Sequence, residues 1–452
     1  MINQLFEQLA TDAGRKFKED LLGLHKNNVV LKEVVRLALD PAINFYIKKI
    51  PAYCPRMGGG VRDLSWAIAE LDRLAVREVT GKDAIEFLTA VLEQLSSDDA
   101  EVIEKIIQRD LRCGVSEATA NKVWKGLIPE YPYMRCALPK AAKLDKFSWT
   151  QGVFSQLKAD GMFVNINHLE DGTVELISRS GSRFPIEQFA NLADEIRMTF
   201  PAGTQTHGEL IVEVGGELQS REISNGLLNS VLKGGSFDPT DFPVLFAWDQ
   251  LPIEAAVPGG KYNVPYADRY RELEQQIHAA APHGITLIET KIVHSLEQAH
   301  EHYAEMLAAG YEGTIIKDRN AIWEDTTSKR QVKYKLEVDV DLKITGFTAG
   351  NGKNAELFGS ITCETEDGEL VVNVSGFKDK KQKGILTRAE IWEIRDQLIG
   401  TVMTVTSNNI MKPTKSNPKY SLFLPRFCEF RSDKSIADDL QRVQEQFENA
   451  VK

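Results

Sequence analysis

The chain has 452 residues, 42% of them hydrophobic and 26% charged, and a formal net charge of −11. No apolar run approaches the roughly 20 residues of a membrane span, and no basic stretch leads into an apolar one at the N-terminus, so we expect neither a membrane helix nor a signal peptide. Five scattered cysteines without Cys-x-x-Cys spacing argue against disulfides and a zinc site and favour the cytoplasm.

The acidic excess is confined to the middle of the chain. Residues 1–140 and 341–452 are each neutral, so residues 141–340 carry all of it. Contacts to phosphate need local positive charge rather than a positive total. The net charge therefore does not exclude a nucleic-acid partner. The length predicts about three domains.

The first 130 residues have the apolar periodicity of helices. A Met-Gly-Gly-Gly loop at 57–60 interrupts them. We predict that one helix ends at Gly114 and that Ser116 caps the next, which runs to about Trp124. Prolines beyond residue 128 then indicate a linker.

From residue 150 the pattern changes to short strands joined by Ala-Asp-Gly and Glu-Asp-Gly turns, which are hairpin signals. Strands are predicted at 153–157, 162–169 and 174–178, and helices near 186–198, 268–280 and 295–309. This pattern predicts a mixed α+β domain that ends near residue 340.

The last hundred residues read as a small β-barrel followed by a helix. The strand-like stretches are 341–347, 359–365, 369–374 and 401–406. From Ser435 onward, Ile436, Leu440, Val443 and Phe447 recur at helical spacing, which predicts an amphipathic closing helix.

Seven short motifs follow one another along the chain. They are Lys158–Gly161 (Lys-Ala-Asp-Gly), Ser178–Gly181, His207–Leu210, Phe246–Asp249, Tyr311–Lys317, Lys333–Lys335 and Arg431–Lys434. A lysine nucleophile must lose its proton, and desolvation at a strand end that faces a pocket favours that loss. Each motif alone is more often a turn or a solvated strand face. Their shared order is what predicts a catalytic site.

With these motifs the chain resembles the covalent nucleotidyltransferase superfamily and, within it, the T-even phage type of ATP-dependent DNA ligase. Further segments that carry the resemblance are 45–49, 109–116, 120–124, 156–161, 224–226, 339–344 and 422–425. The resemblance implies a multidomain α and α+β/β fold. Its parts would be a helical DNA-binding domain at 1–130, a nucleotidyltransferase domain at 140–340, and an OB-fold β-barrel with a C-terminal helix at 341–452.

The resemblance also implies roles in binding ATP. Lys158 would attack the α-phosphate and carry AMP. Gln156 would contact the adenine edge with Leu157 beside it in the nucleotide site, and Trp248 would cover the face of the base. Asp160 would orient the ribose or the metal shell.

Charged residues complete the implied set. Glu209 and Glu312 would bind Mg²⁺, which prefers carboxylate oxygens. Lys333 and Lys335 would neutralise the α-phosphate during transfer, and Arg179 would hold the 5′-phosphate at the nick.

The C-terminal motif has its own implied role. Arg431, Asp433 and Lys434 would engage the pyrophosphate as it leaves; a plainer interpretation is that Asp433 caps the closing helix. Two positions depart from the family pattern. Phe163 stands where arginine is usual, so a contact to the ribose or nick phosphate is missing or supplied elsewhere, and His207 stands where aspartate is common.

Three remaining features are less specific. The other histidines (His25, His168, His278, His283, His294, His300 and His302) form no ligand spacing and are expected at the surface. The stretch Ser224–Gly235, with Asn225, Asn229 and Lys233, is either a family segment that touches DNA or a plain surface loop. The cluster Lys378–Lys383 is either a phosphate-binding or a solvated loop.

The implied function is to seal nicks in double-stranded DNA with ATP. The partners would be nicked duplex and ATP, with no membrane, and the protein would be a monomer in the cytoplasm of a bacterial or phage-infected cell. The alternatives are an RNA ligase, a capping-type nucleotidyltransferase, and a non-catalytic nick-binding protein.

Overall fold

The structure is a computed structural model that describes residues 2–12, 14–47, 49–54, 56, 59–381, 385–415 and 417–451. Packing divides the chain into two compact units. Unit 1 comprises Met1–Arg135, Ala159–Ile288 and Asn320–Ser328, and unit 2 comprises Cys136–Lys158, Glu289–Arg319 and Lys329–Lys452. The three domains expected from the sequence remain a prediction.

The N-terminal segment of unit 1 is helical, as its periodicity predicts. Its helices are α1 (Ile2–Ala10), α2 (Arg15–Leu24), α3 (Val29–Leu39), α4 (Leu64–Ala75), α5 (Gly81–Leu92), α6 (Ser97–Ile107) and α7 (Glu117–Val123). They enclose an apolar core drawn from residues 5–128, in which Leu31, Leu71, Leu88 and Ile103 are fully buried. This segment therefore has a core of its own.

The turn before α7 differs in part from the prediction. Ser116 caps α7 as expected, its hydroxyl accepting from the Thr119 N–H at 3.3 Å. The preceding helix, however, ends at Ile107 and not at Gly114. Arg109 cannot continue the helix because its backbone is in the left-handed region, with φ 56°, and its guanidinium donates to the Asp40 carbonyl at 2.7 Å. In the predicted loop at 57–60, Met57 and Gly58 lie outside the described residues.

A six-stranded sheet follows in unit 1, with the order β4-β3-β5-β7-β9 and β6 paired to β5. Its strands are β3 (Met162–His168), β4 (Val174–Ser178), β5 (Thr204–Val214), β6 (Glu217–Leu218), β7 (Asp241–Pro252) and β9 (Ile285–Leu287). Val164, Ile166 and Leu210 point into a core shared with α8 (Ala190–Thr199), α9 (Arg221–Leu232) and α10 (Tyr266–Ala280). The intervening residues form the opposite face. A short ladder, β8 (Lys261–Tyr262) with β12 (Trp323–Glu324), completes unit 1.

Unit 2 begins with a five-stranded sheet of order β1-β13-β11-β2-β10. Its strands are β1 (Arg135–Ala137), β2 (Val153–Leu157), β10 (Thr290–Val293), β11 (Gly313–Lys317) and β13 (Thr327–Lys335). Helix α11 (Leu296–Ala308) covers one face, where Val153, Ala299, Ile316 and Val332 form a small core. The predicted positions of β2, β3, β4, α10 and α11 are confirmed to within two residues.

The C-terminal part of unit 2 is an antiparallel sheet of order β16-β15-β14-β17-β20. Its strands are β14 (Val338–Ala349), β15 (Phe358–Glu364), β16 (Val371–Val374), β17 (Val402–Ser407) and β20 (Arg426–Arg431); beside it lie β18 (Asn409–Met411), β19 (Ser421–Phe423), α12 (Arg388–Glu393) and α13 (Arg395–Leu398). Within the described residues the strand ladders stay open rather than forming the closed barrel that was expected. The two edges meet only at an isolated bridge between Ser375 and Arg426.

The closing helix α14 (Leu440–Val451) starts five residues later than predicted, and Ile436 is 64% exposed. The cause is a backbone tether, because the Asp438 N–H donates to the Asp341 carbonyl at 2.8 Å and keeps the preceding segment out of the helix. Val443 and Phe447 pack into the core of the C-terminal sheet as expected. In the part of the chain that the structure describes, no helix is long and apolar enough to cross a membrane.

Candidate active site

Lys158 is the first residue after β2. Its N–H donates to the Gly313 carbonyl at 2.9 Å, which continues the ladder with β11. Its ammonium group forms an ion pair with Glu312, and the two side chains are 20% and 22% exposed. The structure thus holds the predicted nucleophile in a fixed, partly desolvated place with a carboxylate against the amine.

Four predicted residues share one face of this sheet. Gln156 pairs with Ile315, and Ile315 pairs with Lys333. Side chains alternate along a strand, so Gln156, Lys158, Lys333 and Lys335 lie on the face opposite α11. The structure therefore brings together residues separated by about 180 positions in the chain, as adjacent strands of one sheet can.

Gln156 is buried, and its side-chain amide donates to the Thr290 hydroxyl at 3.0 Å. The Leu157 side chain, 8% exposed, lies on the α11 face. A nucleotide on the Lys158 face would therefore meet only the backbone of Leu157.

Lys335 has an unusual electrostatic setting. Burial lowers the pKa of its ammonium group, and the nearby charge of Arg426 lowers it further. Glu337, 3.4 Å away, partly offsets this by raising the pKa. The Lys335 ammonium group also donates to the Asn408 side-chain oxygen at 3.2 Å. The ammonium group of Lys335 therefore loses its proton at a lower pH than that of an ordinary lysine.

In unit 1, Glu209 lies on β5 opposite Phe163 of β3. Its carboxylate accepts from the Gly161 N–H at 3.2 Å. A Cβ at Gly161 would stand 2.3 Å from the Leu210 carbonyl oxygen, so only glycine allows this approach. The Asp160-Gly161 turn is thus fixed against β5.

Aromatic side chains lie on the face of the same sheet that is opposite the core shared with α8, α9 and α10. The Phe163 ring lies 5.0 Å from Tyr133, 6.0 Å from Trp248 and 6.3 Å from His207, centroid to centroid. Trp248 is half-buried. The exposed Arg179 stacks over Tyr133 at 4.8 Å. The position that carries arginine in the family pattern is here part of an aromatic cluster.

Arg431 and Lys434 converge on Asp341, each donating to the same carboxylate oxygen, at 2.9 and 2.8 Å. Arg431 also forms a two-bond pair with Asp433, at 2.9 and 2.8 Å, and this bonding lowers the pKa of Asp433 to about 2. Asp433 does not cap α14, because the helix begins at Leu440 and the preceding Asp439 caps it, its carboxylate accepting from the Arg442 N–H at 2.7 Å. The plainer interpretation of this motif is therefore wrong.

The residues present fit a divalent cation that is completed by substrate. No group of three or more His, Cys, Asp or Glu side chains among the described residues could hold a metal ion. Mg²⁺ needs fewer protein ligands, since it commonly binds one or two carboxylates together with water and substrate phosphates. Glu312, adjacent to Lys158, is such a carboxylate.

Two sequence expectations need correction. His168 and His302 are buried rather than at the surface, because each imidazole has an internal partner: the Phe200 carbonyl and the Ser155 hydroxyl, both at 2.8 Å. The stretch Ser224–Gly235 is not a loop, because Arg221–Leu232 forms α9. Asn225 and Asn229 lie on that helix, and Lys233 is its C-terminal cap. In the Lys378–Lys383 cluster, the last two residues lie outside the described chain.

Sequence reasoning missed one candidate functional residue, Arg221, and the burial of His302. Arg221 donates to Asp160 at 2.7 Å across 61 residues of sequence, which no local pattern signals. The burial of His302, whose imidazole bonds to Ser155 of β2, could have been predicted from the sequence. His302 shares a helical face with the buried Ala299 and Met306.

Comparisons with known proteins agree with this fold and these motifs. The family described as "ATP dependent DNA ligase domain" matches residues 140–335. The DNA ligase of Enterobacteria phage T4 is 31% identical over 98% of this chain and 98% of its own. The DNA ligase of Thermococcus fumicolans is 30% identical over 80% of this chain and 74% of its own.

A solved structure named "Pmar-Lig_Pre." has a TM-score of 0.69 at 23% identity, covering 96% of this chain and 100% of that one. This likeness concerns the fold alone. The sequence relationship, which spans almost the whole chain, is more specific. The protein belongs to the ATP-dependent DNA ligases.

Proposed function

We propose that this ligase seals 3′-hydroxyl/5′-phosphate nicks in duplex DNA in three steps, with AMP carried on Lys158. The Lys158 amine attacks the α-phosphorus of ATP, a P–N bond forms, and the bond to pyrophosphate breaks. AMP then passes to the 5′-phosphate of the nick. Finally the 3′-hydroxyl attacks that phosphate, loses its proton and releases AMP.

The observation that carries this proposal is the position of Lys158 at the end of β2 with Glu312 against its amine. Lys333 and Lys335 extend the same sheet face, and we assign them to the charge that develops on the α-phosphate. Gln156 is assigned to the adenine edge and Trp248 to its face. Arg179 is assigned to the nick phosphate.

Mg²⁺ is assigned to Glu312 and Glu209. When bound, it would neutralise phosphate charge. We expect Glu312→Ala and Glu209→Ala each to reduce turnover by at least about a hundredfold. Wild-type rates in both variants across a magnesium titration would refute the assignment.

The finer domain roles belong to the same proposal. We assign residues 1–130 to DNA binding and residues 341–452 to an OB-type domain, because the sheet order β16-β15-β14-β17-β20 with an edge bridge at Ser375 suits a five-stranded barrel. The protein would act as a monomer.

A gel assay of nick sealing tests the function. Wild-type protein should seal a labelled nicked duplex with ATP and not with GTP, and Lys158→Ala should abolish sealing. Lys291→Ala is a matched control, because Lys291 lies on the neighbouring strand β10 and pairs with Glu305 at 2.9 Å. Activity with GTP would favour a capping-type enzyme. Sealing confined to RNA would favour an RNA ligase, and full sealing by Lys158→Ala would contradict the proposed nucleophile.

A further inference from the structure

The turn after the nucleophile strand carries an ion pair with a distant arginine. Asp160, two residues after Lys158, accepts a hydrogen bond from the guanidinium of Arg221 at 2.7 Å. The two side chains are 40% and 35% exposed, so a ligand can reach both. Exposed ion pairs of this kind contribute little to stability and can exchange partners.

Arg221 is held by a well-anchored helix. It is the first residue of α9. The fully buried Ser224 hydroxyl accepts from the Val212 N–H of β5 at 2.9 Å. The Asn225 amide donates to the Gly161 carbonyl at 3.4 Å. The start of α9 is therefore tied to both β5 and the Asp160-Gly161 turn.

The position that carries arginine in the family pattern cannot provide a cation in this chain. Phe163 occupies it and packs against Tyr133 and Trp248. The protein thus lacks a guanidinium at position 163, yet Arg221 of α9 brings one to Asp160, three residues earlier in the chain.

We propose that Arg221 replaces the missing arginine and binds a substrate phosphate, exchanging or sharing its contact with Asp160. The planar guanidinium suits this role because its parallel N–H groups match two phosphate oxygens. The inference rests on the proposed function, since Lys158, two residues before Asp160 in the chain, defines the reaction. The phosphate is either the α-phosphate of the nucleotide or the 5′-phosphate of the nick.

Step-resolved kinetics on the full chain distinguish the two sources. The readouts are self-adenylylation by ATP, AMP transfer from pre-charged enzyme to a nick, and sealing of a nick that already carries 5′-AMP. We expect Arg221→Ala to slow at least one step by about 10- to 100-fold relative to the others, and Arg221→Lys to be intermediate. Selective loss of adenylylation identifies the nucleotide phosphate, and selective loss of transfer or sealing identifies the nick phosphate.

Whether Arg221 replaces the missing arginine is tested by introducing an arginine at position 163. Phe163→Arg in the Arg221→Ala background should recover most of the lost rate in the affected step. Arg271→Ala is the matched control: Arg271 lies near the start of α10, pairs with Asp268 at 2.7 Å, and should be neutral.

Three results would overturn the inference: wild-type rates in Arg221→Ala, an equal loss in every step, or no recovery with Phe163→Arg. Its failure is separable from failure of the proposed function. The latter would show as adenylylation that survives Lys158→Ala in an otherwise wild-type chain.

Discussion

The burial of Lys335 affects the pH at which its positive charge is lost. Because burial and Arg426 lower its pKa, its positive charge is lost at a lower pH than for an ordinary lysine. If that charge stabilises the transferring phosphate, self-adenylylation should decline on the alkaline side. Arg426→Gln removes the neighbouring positive charge and raises the pKa of Lys335. We therefore expect the decline to move to higher pH.

Single-turnover adenylylation from pH about 7 to about 11 measures this shift. Lys335→Arg is the control, because arginine keeps its charge throughout and should abolish the decline. An alkaline limb that is identical in all three proteins would rule out a role for the Lys335 charge.

Asp341 binds both cations of the C-terminal motif, Arg431 and Lys434. Burial alone would raise its pKa, but hydrogen bonds from Lys434 and Thr404 and the charges of Lys434 and Arg431 outweigh burial and lower it. A lowered carboxylate pKa gives stability that is present above the unfolded-state pKa and is lost as pH falls through the folded-state value. Asp341→Asn should reduce stability at pH about 7 by about 2 kcal/mol.

Urea unfolding at neutral and acidic pH checks this prediction. The difference between wild type and Asp341→Asn should begin to shrink below pH about 4, near the unfolded-state pKa, and should disappear only as pH falls through the lowered folded-state pKa of Asp341. Asp396→Asn is the control, since that carboxylate is 83% exposed and its contact with Arg395, at 3.8 Å, is long for an ion pair. A difference that is constant with pH would contradict the ion-pair account.

At the scale of elements, the sequence predicts best where local pattern and tertiary contact agree. Strands β2, β3 and β4 were placed almost to the residue, because alternation and Asp-Gly turns set their ends. The closing helix was extended too far, because the Asp438 tether to Asp341 is a long-range contact. Helix α9 was not predicted, because Gly226, Gly234 and Gly235 are typical of a loop. The contact of Ser224 with β5, which anchors the helix, is not visible in the sequence.

The candidate site was predicted to a similar degree. The shared sheet face of Gln156, Lys158, Lys333 and Lys335 follows from strand pairing, whereas the roles of the motif residues stay a prediction. The Arg221–Asp160 pair was not predicted, because it depends on how α9 packs.

The C-terminal motif should act in the first step only. Pyrophosphate leaves in adenylylation and is absent afterwards, so cations that stabilise it are needed only then. Arg431→Ala and Lys434→Ala should therefore lose adenylylation by ATP yet seal a nick that already carries 5′-AMP.

A matched control for this motif lies on α14, where Arg442 is 57% exposed and lies 3.8 Å from Glu445. Arg442→Ala should retain every step. A parallel loss of both activities in the motif variants would indicate a structural role, and normal adenylylation would exclude the leaving-group role.

At the scale of the whole molecule, the helical segment has its own core and should contribute affinity rather than chemistry. A chain that begins at Glu130 keeps Tyr131, whose ring packs against Gly181, and Tyr133, which contacts Phe163. We expect it to self-adenylylate normally, but to bind nicked duplex weakly and with a shallower salt dependence than the full chain. Binding titrations at several salt concentrations measure both quantities. Equal nick affinity with and without the segment would refute its assignment to DNA binding.

The identity of the AMP-carrying residue is the central claim, and peptide mapping by mass spectrometry tests it most directly. Full-length protein is incubated with ATP and magnesium, digested under conditions that preserve the acid-labile P–N bond, and sequenced by fragmentation. The account predicts AMP on Lys158 in the wild type and no adduct in Lys158→Ala, with Lys291→Ala labelled normally. AMP on another residue, or an undiminished adduct in Lys158→Ala, would contradict it.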